Sequence, residues 1–342
     1  MPVATMRASV LSGPSTIELQ ERPVPVPADD EVLVQVGSVG VCGSDVHYYK
    51  HGRIADMVVE GPLVLGHEVG GRIVDVGRDV PRDRVGERVA LEPQRPCRRC
   101  HYCKTGQLNL CPQMEFFATP PIDGAFCDYV TVPTDFAHRV PDSLSDAAVG
   151  LLEPLSVGIW ANHKAGTTAG SKVFITGGGP IGALAGMAAR AMGATEIIVS
   201  DPVESRRQRV TELVGATAVD PREGFDPSSL EADVFLECAG PTRALLDGIK
   251  AVRPGGTIVL VGNGEDEVTL PIREIQNREV VLTWIFRYVN TWPTAIGLAA
   301  GGQVDLDALV TAQFGLDEVE AALTSDDDPT SMKSVVVVNK DV

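Results

Sequence analysis

The chain has 342 residues, of which 44% are hydrophobic and 22% are charged, and its formal net charge is −17. This length allows two domains with separate cores, and the acidic charge argues against a nucleic-acid partner, since binding phosphates requires clustered Lys and Arg. No stretch approaches the ~18 unbroken apolar residues of a membrane helix, and the N-terminus lacks the apolar core of a signal peptide. We therefore expect a cytoplasmic protein that contacts no membrane.

The first part of the sequence predicts a β-rich domain. Short Val-rich runs alternate with Gly, Pro and Asp in "EVLVQVGSVGVCGSD", "GGRIVDVG", "ERVALEP" and "AFCDYVTVP". Runs of this length, bounded by turn-forming residues, are typical of strands joined by short turns.

Four cysteines within this part, Cys97, Cys100, Cys103 and Cys111, have the spacing Cys-x2-Cys-x2-Cys-x7-Cys. Such spacing lets a turning backbone direct four thiolates at one tetrahedral zinc ion, and four thiolates leave no coordination position open for a substrate. The cluster therefore predicts a structural zinc. Two alternatives remain open: disulfide pairing, which a reducing compartment disfavours, and a zinc-ribbon binding module, against which the acidic charge argues.

The character of the sequence changes after about Leu151, where strand-like runs begin to alternate with helix-length segments. This alternation predicts a parallel sheet covered by helices on both faces. The C-terminal "SVVVVN" is a further strand candidate with no helix-and-strand unit after it, and it could return to the first domain.

The glycine-rich turn after "KVFIT" predicts a dinucleotide site with the pattern G-x-G-x-x-G. This pattern provides a tight turn, close approach of a pyrophosphate and a helix N-terminus that favours phosphate. The residues concerned are Gly177, Gly179, Pro180, Ile181 and Gly182. The next strand ends at Asp201, whose carboxylate can bind the ribose hydroxyls and would repel a 2′-phosphate, so NAD is favoured. Arg206 and Arg207 keep NADP as an alternative, and a glycine turn without a ligand is another.

Three short segments contain the side chains that a reactive metal needs. "VGVCGSDVHYY" contains Cys42, "LGHEVGG" contains His67 and Glu68, and "LLEPLSVG" contains Glu153. Taken singly, the cysteine could be a core residue and the glutamate a turn or helix cap. Together, a thiolate, an imidazole and a carboxylate could hold zinc with one position open, which is the arrangement of a catalytic site.

These residues resemble the zinc-containing medium-chain dehydrogenases, and within them the polyol (sorbitol, xylitol, L-iditol) dehydrogenase branch of microbial type. The resemblance rests on "LGHEVGG", "CGSDVHYY", "EFFATPPIDGAFCDY", "LLEPLSVGIWA", "GGGPIG" and "IFRYVNTWP", which occur in order along most of the chain. It implies an α/β fold with a GroES-like β-rich catalytic domain at 1–153 and a C-terminal return at 287–342. A doubly wound Rossmann NAD-binding domain would occupy 154–286. A homo-oligomer, tetramer or dimer, is also implied.

The resemblance also implies roles for individual residues. It implies two zinc ions per chain, a structural one at the four cysteines and a catalytic one. The catalytic zinc positions are Cys42, His67, Glu68 and Glu153. The positions along NAD are Asp201 and Arg206 on the adenosine half, and Val261, Gly262, Asn263, Ile285 and Phe286 on the nicotinamide half. The positions in the polyol pocket are Tyr48, Phe117, Thr119, Arg287 and Tyr288.

The expected reaction is the reversible, NAD-linked oxidation of a secondary alcohol of a polyol to the ketose. Glu153 is the first candidate for accepting the proton, with Ser44 and His47 as exits to solvent. Asp45 is expected to hydrogen-bond a ligand imidazole, with an ordinary turn residue as the alternative. Competing functions are a zinc-dependent threonine, 2,3-butanediol or glucose dehydrogenase, and a catalytically idle NAD-binding relative. The four cysteines distinguish the chain from animal sorbitol dehydrogenases, which have mostly lost them.

Overall fold

The structure is a computed structural model that describes residues 4–340 and Val342. It divides into two compact units. The first comprises Met1–Glu153, Trp292–Ala300 and Leu306–Val342, and the second comprises Pro154–Thr291 and Gly301–Asp305. None of the helices in the described part of the chain is both long and apolar enough to cross a membrane.

The N-terminal part of the chain is mostly β-structure. Its strands are β1 (Thr5–Gly13), β2 (Thr16–Pro23), β3 (Glu31–Gly40), β4 (Arg53–Ile54), β5 (Met57–Val58), β6 (Leu63–Val64), β7 (Glu68–Val76), β8 (Arg88–Leu91), β9 (Gln94–Arg95), β10 (Glu115–Phe116), β11 (Tyr129–Pro133) and β12 (Ala137–Arg139). Its helices are α1 (Gly43–His51), α2 (His101–Lys104), α3 (Asp146–Gly150) and α4 (Leu152–Ala165). The Val-rich runs predicted as strands are thus confirmed as β3, β7, β8 and β11.

The middle of the chain alternates strands with helices. The strands are β13 (Lys172–Thr176), β14 (Glu196–Ser200), β15 (Thr217–Val219), β16 (Ala232–Glu237), β17 (Val252–Leu260) and β18 (Val281–Trp284). The helices are α5 (Pro180–Ala191), α6 (Glu204–Val214), α7 (Thr242–Ala251) and α8 (Ile272–Asn277). The C-terminal part adds α9 (Trp292–Ala300), β19 (Val310–Gly315), α10 (Val319–Thr324) and β20 (Lys333–Val337).

The second unit contains a six-stranded sheet with the order β15-β14-β13-β16-β17-β18, in which every pairing is parallel. The order reverses between β13 and β16, and ligands of open parallel sheets bind at such a reversal, beyond the carboxyl ends of the strands. Strand β13 is buried along most of its length, and helices α5 and α7 contact it. The predicted parallel sheet is confirmed.

The first unit is built on a mixed sheet with the order β12-β8-β7-β3-β20-β19, in which β11 also pairs with β3. The C-terminal strand β20 runs antiparallel to β3, and Val336 lies opposite Val39. The interior of this unit combines residues from β1, β3, β7 and β11 with Val319 and Leu323 of α10. Strand β20 therefore shares a sheet with the strand that leads to Cys42.

Candidate active site and metal centres

Two groups of side chains could each hold a metal ion. One contains Cys97, Cys100, Cys103 and Cys111, and the other contains Cys42, His67 and Glu68. In each group one ligand atom per residue lies within 4.8 Å of all the others. The structure thus brings together the four cysteines of the predicted structural site and three of the four residues of the predicted catalytic site.

The four-cysteine group lies in a lobe between β9 and β10, whose ends pair through Arg95 and Glu115. The sulfur of Cys100 lies 3.5 Å from that of Cys103 and 4.0 Å from that of Cys111. A tetrahedral ion with zinc–sulfur bonds of about 2.3 Å requires sulfur atoms about 3.8 Å apart. The observed spacing therefore suits a tetrahedral zinc. None of the seven cysteines, all within the described residues, forms a disulfide.

The thiols of this lobe differ in acidity. The backbone N–H of Arg99, together with that of Cys100, lowers the pKa of Cys97 to about 6. Desolvation, followed by hydrogen bonds with neighbouring thiols, raises the pKa of Cys103 to about 12. Four thiolates this close repel one another, and a divalent cation removes that repulsion by binding all four.

The second group is assembled by residues next to strand ends. Cys42 follows β3 and is the N-cap of α1, and His67 immediately precedes β7, whose first residue is Glu68. Gly66 has a φ of +89°, and a Cβ there would lie 2.9 Å from the ring of Phe126. Only glycine fits this turn, so the residue before His67 fixes the direction in which the imidazole side chain leaves the backbone.

Asp45 connects the two segments that contribute these side chains. Its Oδ2 accepts a hydrogen bond from the Cys42 N–H (3.1 Å), and its Oδ1 accepts one from the Gly66 N–H (2.9 Å). The same Oδ1 lies 3.5 Å from His67 Nδ1, and Asp45 is fully buried. Asp45 is thus more than a turn residue, because it caps α1 and faces the candidate ligand imidazole.

Burial and charge act in opposite directions on this pair. Burial raises the pKa of Asp45, but His67 and the two backbone N–H groups lower it by more, so the carboxylate stays ionised. Burial lowers the pKa of His67, but Asp45 and Cys42 raise it well above the ordinary value. The surroundings therefore favour positive charge at the point where a metal cation would bind.

Glu68 has one carboxylate oxygen in a salt bridge and one without a partner. Its Oε1 accepts a hydrogen bond of 2.5 Å from Lys333 Nζ. Its Oε2 is buried and accepts no hydrogen bond from any described residue. A buried carboxylate oxygen without a partner is costly unless a cation or donor joins it. One oxygen of Glu68 lies within 4.8 Å of the Cys42 sulfur and of a His67 ring nitrogen, so a carboxylate with an unpartnered oxygen is available to a zinc ion here.

Lys333 is a residue of this site that the sequence analysis missed. It is 4% exposed, and its ammonium group also donates to the carbonyl oxygen of Val41 (2.7 Å). Burial lowers the pKa of Lys333, but the negative charges of Glu68, Cys42 and Glu153 raise it by more, so it lies above its ordinary value. The signal in the sequence was a single lysine at the start of an otherwise apolar strand, "KSVVVV".

Glu153 lies in the first turn of α4 and is 5% exposed. Within the described residues it does not belong to the three-residue group with Cys42, His67 and Glu68. Its charge nevertheless acts on Lys333, which lies in the same unit. Glu153 is thus a buried acid whose charge acts on the lysine that binds Glu68, and its place at the catalytic zinc stays a prediction.

The glycine-rich turn has the local geometry that a pyrophosphate requires. Gly177 has a φ of +89°, and a Cβ on Gly182 would lie 1.8 Å from the carbonyl oxygen of Gly177. A Cβ on Gly179 would meet no atom within 4 Å, so this side of the turn is open. Helix α5 begins at Pro180, and Ile181 follows within its first turn. The turn thus presents a helix N-terminus to an open space.

Asp201 follows β14 and is 2% exposed. Its Oδ2 accepts a hydrogen bond from Gly178 N–H, and its Oδ1 accepts one from Val203 N–H, both at 2.7 Å. The guanidinium of Arg207 binds the backbone oxygen of Asp201 (2.9 Å) and Oδ2 of Asp220 (3.0 Å). The Nε of Arg206 is buried and has no hydrogen-bond partner among the described residues.

Glu237 is the last residue of β16, which lies on the other side of the reversal in strand order from β13, and it forms hydrogen bonds with two nearby turns. Its Oε1 accepts hydrogen bonds from the backbone of Ala239 (2.8 Å) and Gly240 (2.7 Å). Its carbonyl oxygen accepts from Val261 (2.8 Å) and Gly262 (2.9 Å). The sequence analysis missed this residue, although an acid that ends the buried run "ADVFLE" was the available signal.

The remaining predicted positions fall in both units. Tyr48, Phe117, Thr119, Ser44 and His47 lie in the first unit, and Asn263, Ile285, Phe286, Arg287 and Tyr288 lie in the second. Tyr48 and Phe117 are buried, and His47 is exposed. Tyr288 is fully buried. The guanidinium carbon of Arg287 lies 4.8 Å from the centre of the Phe286 ring.

Two family models match the chain. The alcohol dehydrogenase GroES-like domain matches residues 28–142. The zinc-binding dehydrogenase domain matches residues 180–301. These matches confirm the predicted fold class, a GroES-like domain with a Rossmann-type domain.

Curated relatives from distant organisms are similar over almost the whole chain. The sorbitol dehydrogenase of Gallus gallus is 43% identical, and the match covers 91% of this chain and 90% of that protein. The sorbitol dehydrogenase of Bacillus subtilis (strain 168) is 42% identical, with coverages of 93% and 92%. Because the two identities are nearly equal, they do not separate an animal from a microbial type.

Solved structures of dehydrogenases have the same fold. The L-idonate 5-dehydrogenase of Escherichia coli superposes with a TM-score of 0.92 at 30% identity, and the match covers 98% of each chain. A zinc-binding dehydrogenase of Sinorhizobium meliloti, solved with NADP bound, gives 0.90 at 30% identity and covers 98% of this chain and 99% of that one.

Proposed function

Because the chain belongs to the zinc-containing medium-chain dehydrogenases, in the branch of the sorbitol dehydrogenases, we propose that it oxidises a secondary hydroxyl of a polyol. The product is the ketose, the reaction is reversible, and NAD accepts the hydride. The observation that carries the proposal is the group of Cys42, His67 and Glu68, which is separate from the four cysteines. A structural zinc has four protein ligands, whereas a site with three protein ligands leaves one position open for a substrate.

We assign the catalytic zinc to Cys42, His67 and Glu68, with Glu153 beside them. When bound, zinc acts as a Lewis acid that increases the acidity of a hydroxyl group. Other residues of this chain contact the ligands: Asp45 orients His67, and Lys333 binds Glu68. The thiolate and the carboxylate offset the two positive charges of the ion.

We assign the second zinc to Cys97, Cys100, Cys103 and Cys111, where it stabilises the lobe between β9 and β10. Full coordination by four thiolates gives this ion no role in the reaction. The thiols must stay reduced to bind it, which suits a reducing compartment. Cytoplasmic localisation is accordingly part of the proposal.

The first unit is proposed as the catalytic domain and the second as the NAD-binding domain. The turn from Gly177 to Gly182 would hold the pyrophosphate, and Asp201 would face the adenosine ribose. NAD is favoured over NADP because a 2′-phosphate would meet the carboxylate of Asp201, while Arg207 is already bound to Asp220. NAD supplies the hydride acceptor, and the residues around Glu237 shape the backbone where its nicotinamide half would lie.

Glu153 is proposed to accept the proton of the substrate hydroxyl, because it is a buried acid beside the metal ligands. Ser44 and His47 on α1 would pass the proton to solvent. The Nδ1 of His47 lies 2.8 Å from the carbonyl oxygen of Arg53. A carbonyl only accepts hydrogen bonds, so Nδ1 carries the hydrogen and Nε2 of the exposed ring can accept a proton.

We propose that Tyr48, Phe117, Thr119, Arg287 and Tyr288 recognise the polyol. Hydroxyl and guanidinium groups suit a substrate with several hydroxyls, since each can donate to an oxygen of the chain. The names of the sorbitol dehydrogenase relatives support a polyol over threonine, 2,3-butanediol or glucose.

We also propose that the chain forms a homo-oligomer through strand β18. Among the described strands, β18 pairs with β17 alone, so its other edge is open. Val281 is 53% exposed and Trp284 is 57% exposed on this strand. An open, apolar edge suits antiparallel pairing with the same strand of a second copy about a two-fold axis.

The test is NADH formation from sorbitol, xylitol, ribitol, galactitol, threonine, 2,3-butanediol and glucose, with wild type and Cys42→Ala. Zinc is counted on the same samples. We expect polyol oxidation by the wild type, with two zinc ions per chain. Cys42→Ala should lose one zinc and all activity, because the catalytic ion is no longer held once its thiolate ligand is removed.

Each other outcome changes a different part of the proposal. Oxidation of another alcohol alone would leave the metal assignment and contradict the substrate. No oxidation, with an unchanged zinc count in Cys42→Ala, would make the chain a binding relative. NADPH formation faster than NADH formation would contradict the role of Asp201.

A further inference from the structure

Lys333 lies inside the first unit, 265 residues along the chain from its partner Glu68. It is the first residue of β20, and that strand pairs with β3, which leads directly to Cys42. A backbone hydrogen bond of 2.9 Å from Val41 N–H to Ser334 O continues this pairing. The position of the lysine relative to the metal-ligating group is therefore fixed by the sheet.

The ammonium group of Lys333 donates hydrogen bonds to two oxygens, one in the segment before Cys42 and one in Glu68. It donates to Glu68 Oε1 at 2.5 Å and to the carbonyl oxygen of Val41 at 2.7 Å. The side chains of Lys333 and Glu68 are 5% and 0% exposed, so water does not screen their attraction appreciably. The carboxylate is thus held firmly by one oxygen.

The other oxygen of Glu68 is held by packing and has no hydrogen bond among the described residues. A Cβ on Gly40 would lie 2.0 Å from this Oε2, so the backbone of β3 closes the space behind it. One carboxylate oxygen of Glu68 lies within 4.8 Å of the ligand atoms of Cys42 and His67. Glu68 therefore binds the ammonium group of Lys333 and is also placed to bind a metal ion from solution.

We propose that Lys333 is a positioning residue that competes with the catalytic zinc for Glu68 and thereby keeps Glu68 a weak ligand. With one oxygen bound to the ammonium group, binding of the ion through both oxygens of Glu68 is disfavoured. Its negative charge is also partly offset before the ion arrives, which lowers the affinity of the site. The inference deepens the proposed function and rests on the proposed zinc site at Cys42, His67 and Glu68.

If Lys333 competes with zinc for Glu68, removing the lysine should slow the release of zinc. In Lys333→Met, the ammonium is replaced by an apolar side chain of similar length, and Glu68 becomes a buried carboxylate whose available cation is zinc. We expect the catalytic zinc to leave to a chelator about tenfold more slowly than in wild type, the size typical of changes around metal ligands. A lysine that only supported the fold would have the opposite effect, because its loss would loosen the site and speed release.

The experiment measures zinc release to a chelator from the holoenzyme for wild type, Lys333→Met, Lys333→Arg, Glu68→Gln and the double variant. The catalytic zinc is identified as the ion that Cys42→Ala lacks. Lys333→Arg keeps the positive charge and should release zinc like wild type. In the Glu68→Gln background, Lys333→Met should have no further effect, since the group it competes for is gone. Visible spectra of the cobalt-substituted proteins should change in Lys333→Met and stay as in wild type in Lys333→Arg, because only the loss of the positive charge changes how Glu68 binds the ion.

The outcomes separate this inference from the proposed function. If wild type binds no second metal ion, the zinc site and the role of Lys333 are both wrong. If two zinc ions are present but Lys333→Met speeds release, or acts equally with and without Glu68, only the inference is overturned. Circular dichroism checks that each variant folds. If Lys333→Met does not fold, Lys333→Gln, which keeps a donor without the charge, provides the same comparison.

Discussion

Asp45 forms hydrogen bonds with the two backbone positions that present the candidate zinc ligands. One of its oxygens binds the N–H of Cys42, and the other binds the N–H of Gly66 next to His67. Both segments come from loops, which on their own would leave a thiol and an imidazole free to move apart. A single buried carboxylate therefore pre-positions the site before any metal binds, in the way that groups around metal ligands commonly do.

Asp45→Asn should weaken the catalytic zinc without removing a ligand. An amide has one accepting oxygen, so its NH₂ group would face one of the two backbone N–H groups and leave it unsatisfied in the interior. We expect about 10- to 100-fold weaker zinc binding at this site and a parallel loss of polyol oxidation. Zinc retained after dialysis against a graded chelator gives the affinity. The exposed Asp142→Asn is the matched control, and retention of both ions by Asp45→Asn would contradict the prediction.

At the scale of elements, the sequence predicts best what neighbouring residues determine. The strand, glycine turn and helix around Gly177 are local, and they form as β13 and α5, with a positive φ at Gly177 in the turn between them. The cysteine lobe is local too, since its four ligands lie within fifteen residues. Spacing alone could therefore predict which side chains meet in each case.

Spacing along the sequence does not predict contacts between distant segments. Lys333 meets Glu68 only because β20 joins β3 across nearly the whole chain, and no periodicity in "KSVVVV" reveals its neighbour. The same holds for Glu237, whose carbonyl meets the turn after β17 through parallel pairing of two strands. Both residues looked like the ends of apolar runs, because in a sheet the partner strand decides which side chains touch.

The cysteine lobe should be an element that depends on its metal. Its helix α2 has four residues, none of them buried, so few apolar contacts hold it. Cys103→Ser should therefore lower the zinc count from two to one and lower the melting temperature. Protease cleavage between Arg95 and Glu115 should become faster, whereas turnover per chain should be unchanged. Cys127→Ser, at a buried cysteine outside both metal groups, is the control. Loss of activity in proportion to the lost zinc would contradict a purely structural role.

At the scale of the whole molecule, charge and apolar surface act against each other. A net charge of −17 makes two copies repel at long range. Association therefore requires a specific apolar contact, and the edge of β18 offers Val281 and Trp284, with Phe286 53% exposed just beyond it. Salt screens the repulsion within about 10 Å at 0.1 M ionic strength, so self-association through this edge should strengthen as salt is added.

Val281→Glu should separate the copies if β18 forms the interface. The substitution places a negative charge on the open edge of an acidic protein, and two copies of that charge would face each other across a two-fold axis. Light scattering after size exclusion should show an oligomer for wild type and a smaller species for Val281→Glu. Val26→Glu makes the same change at a valine that is 87% exposed in the first unit, and it should behave as wild type. A monomeric wild type would contradict the homo-oligomer, whereas an unchanged mass of Val281→Glu would place the interface on another surface.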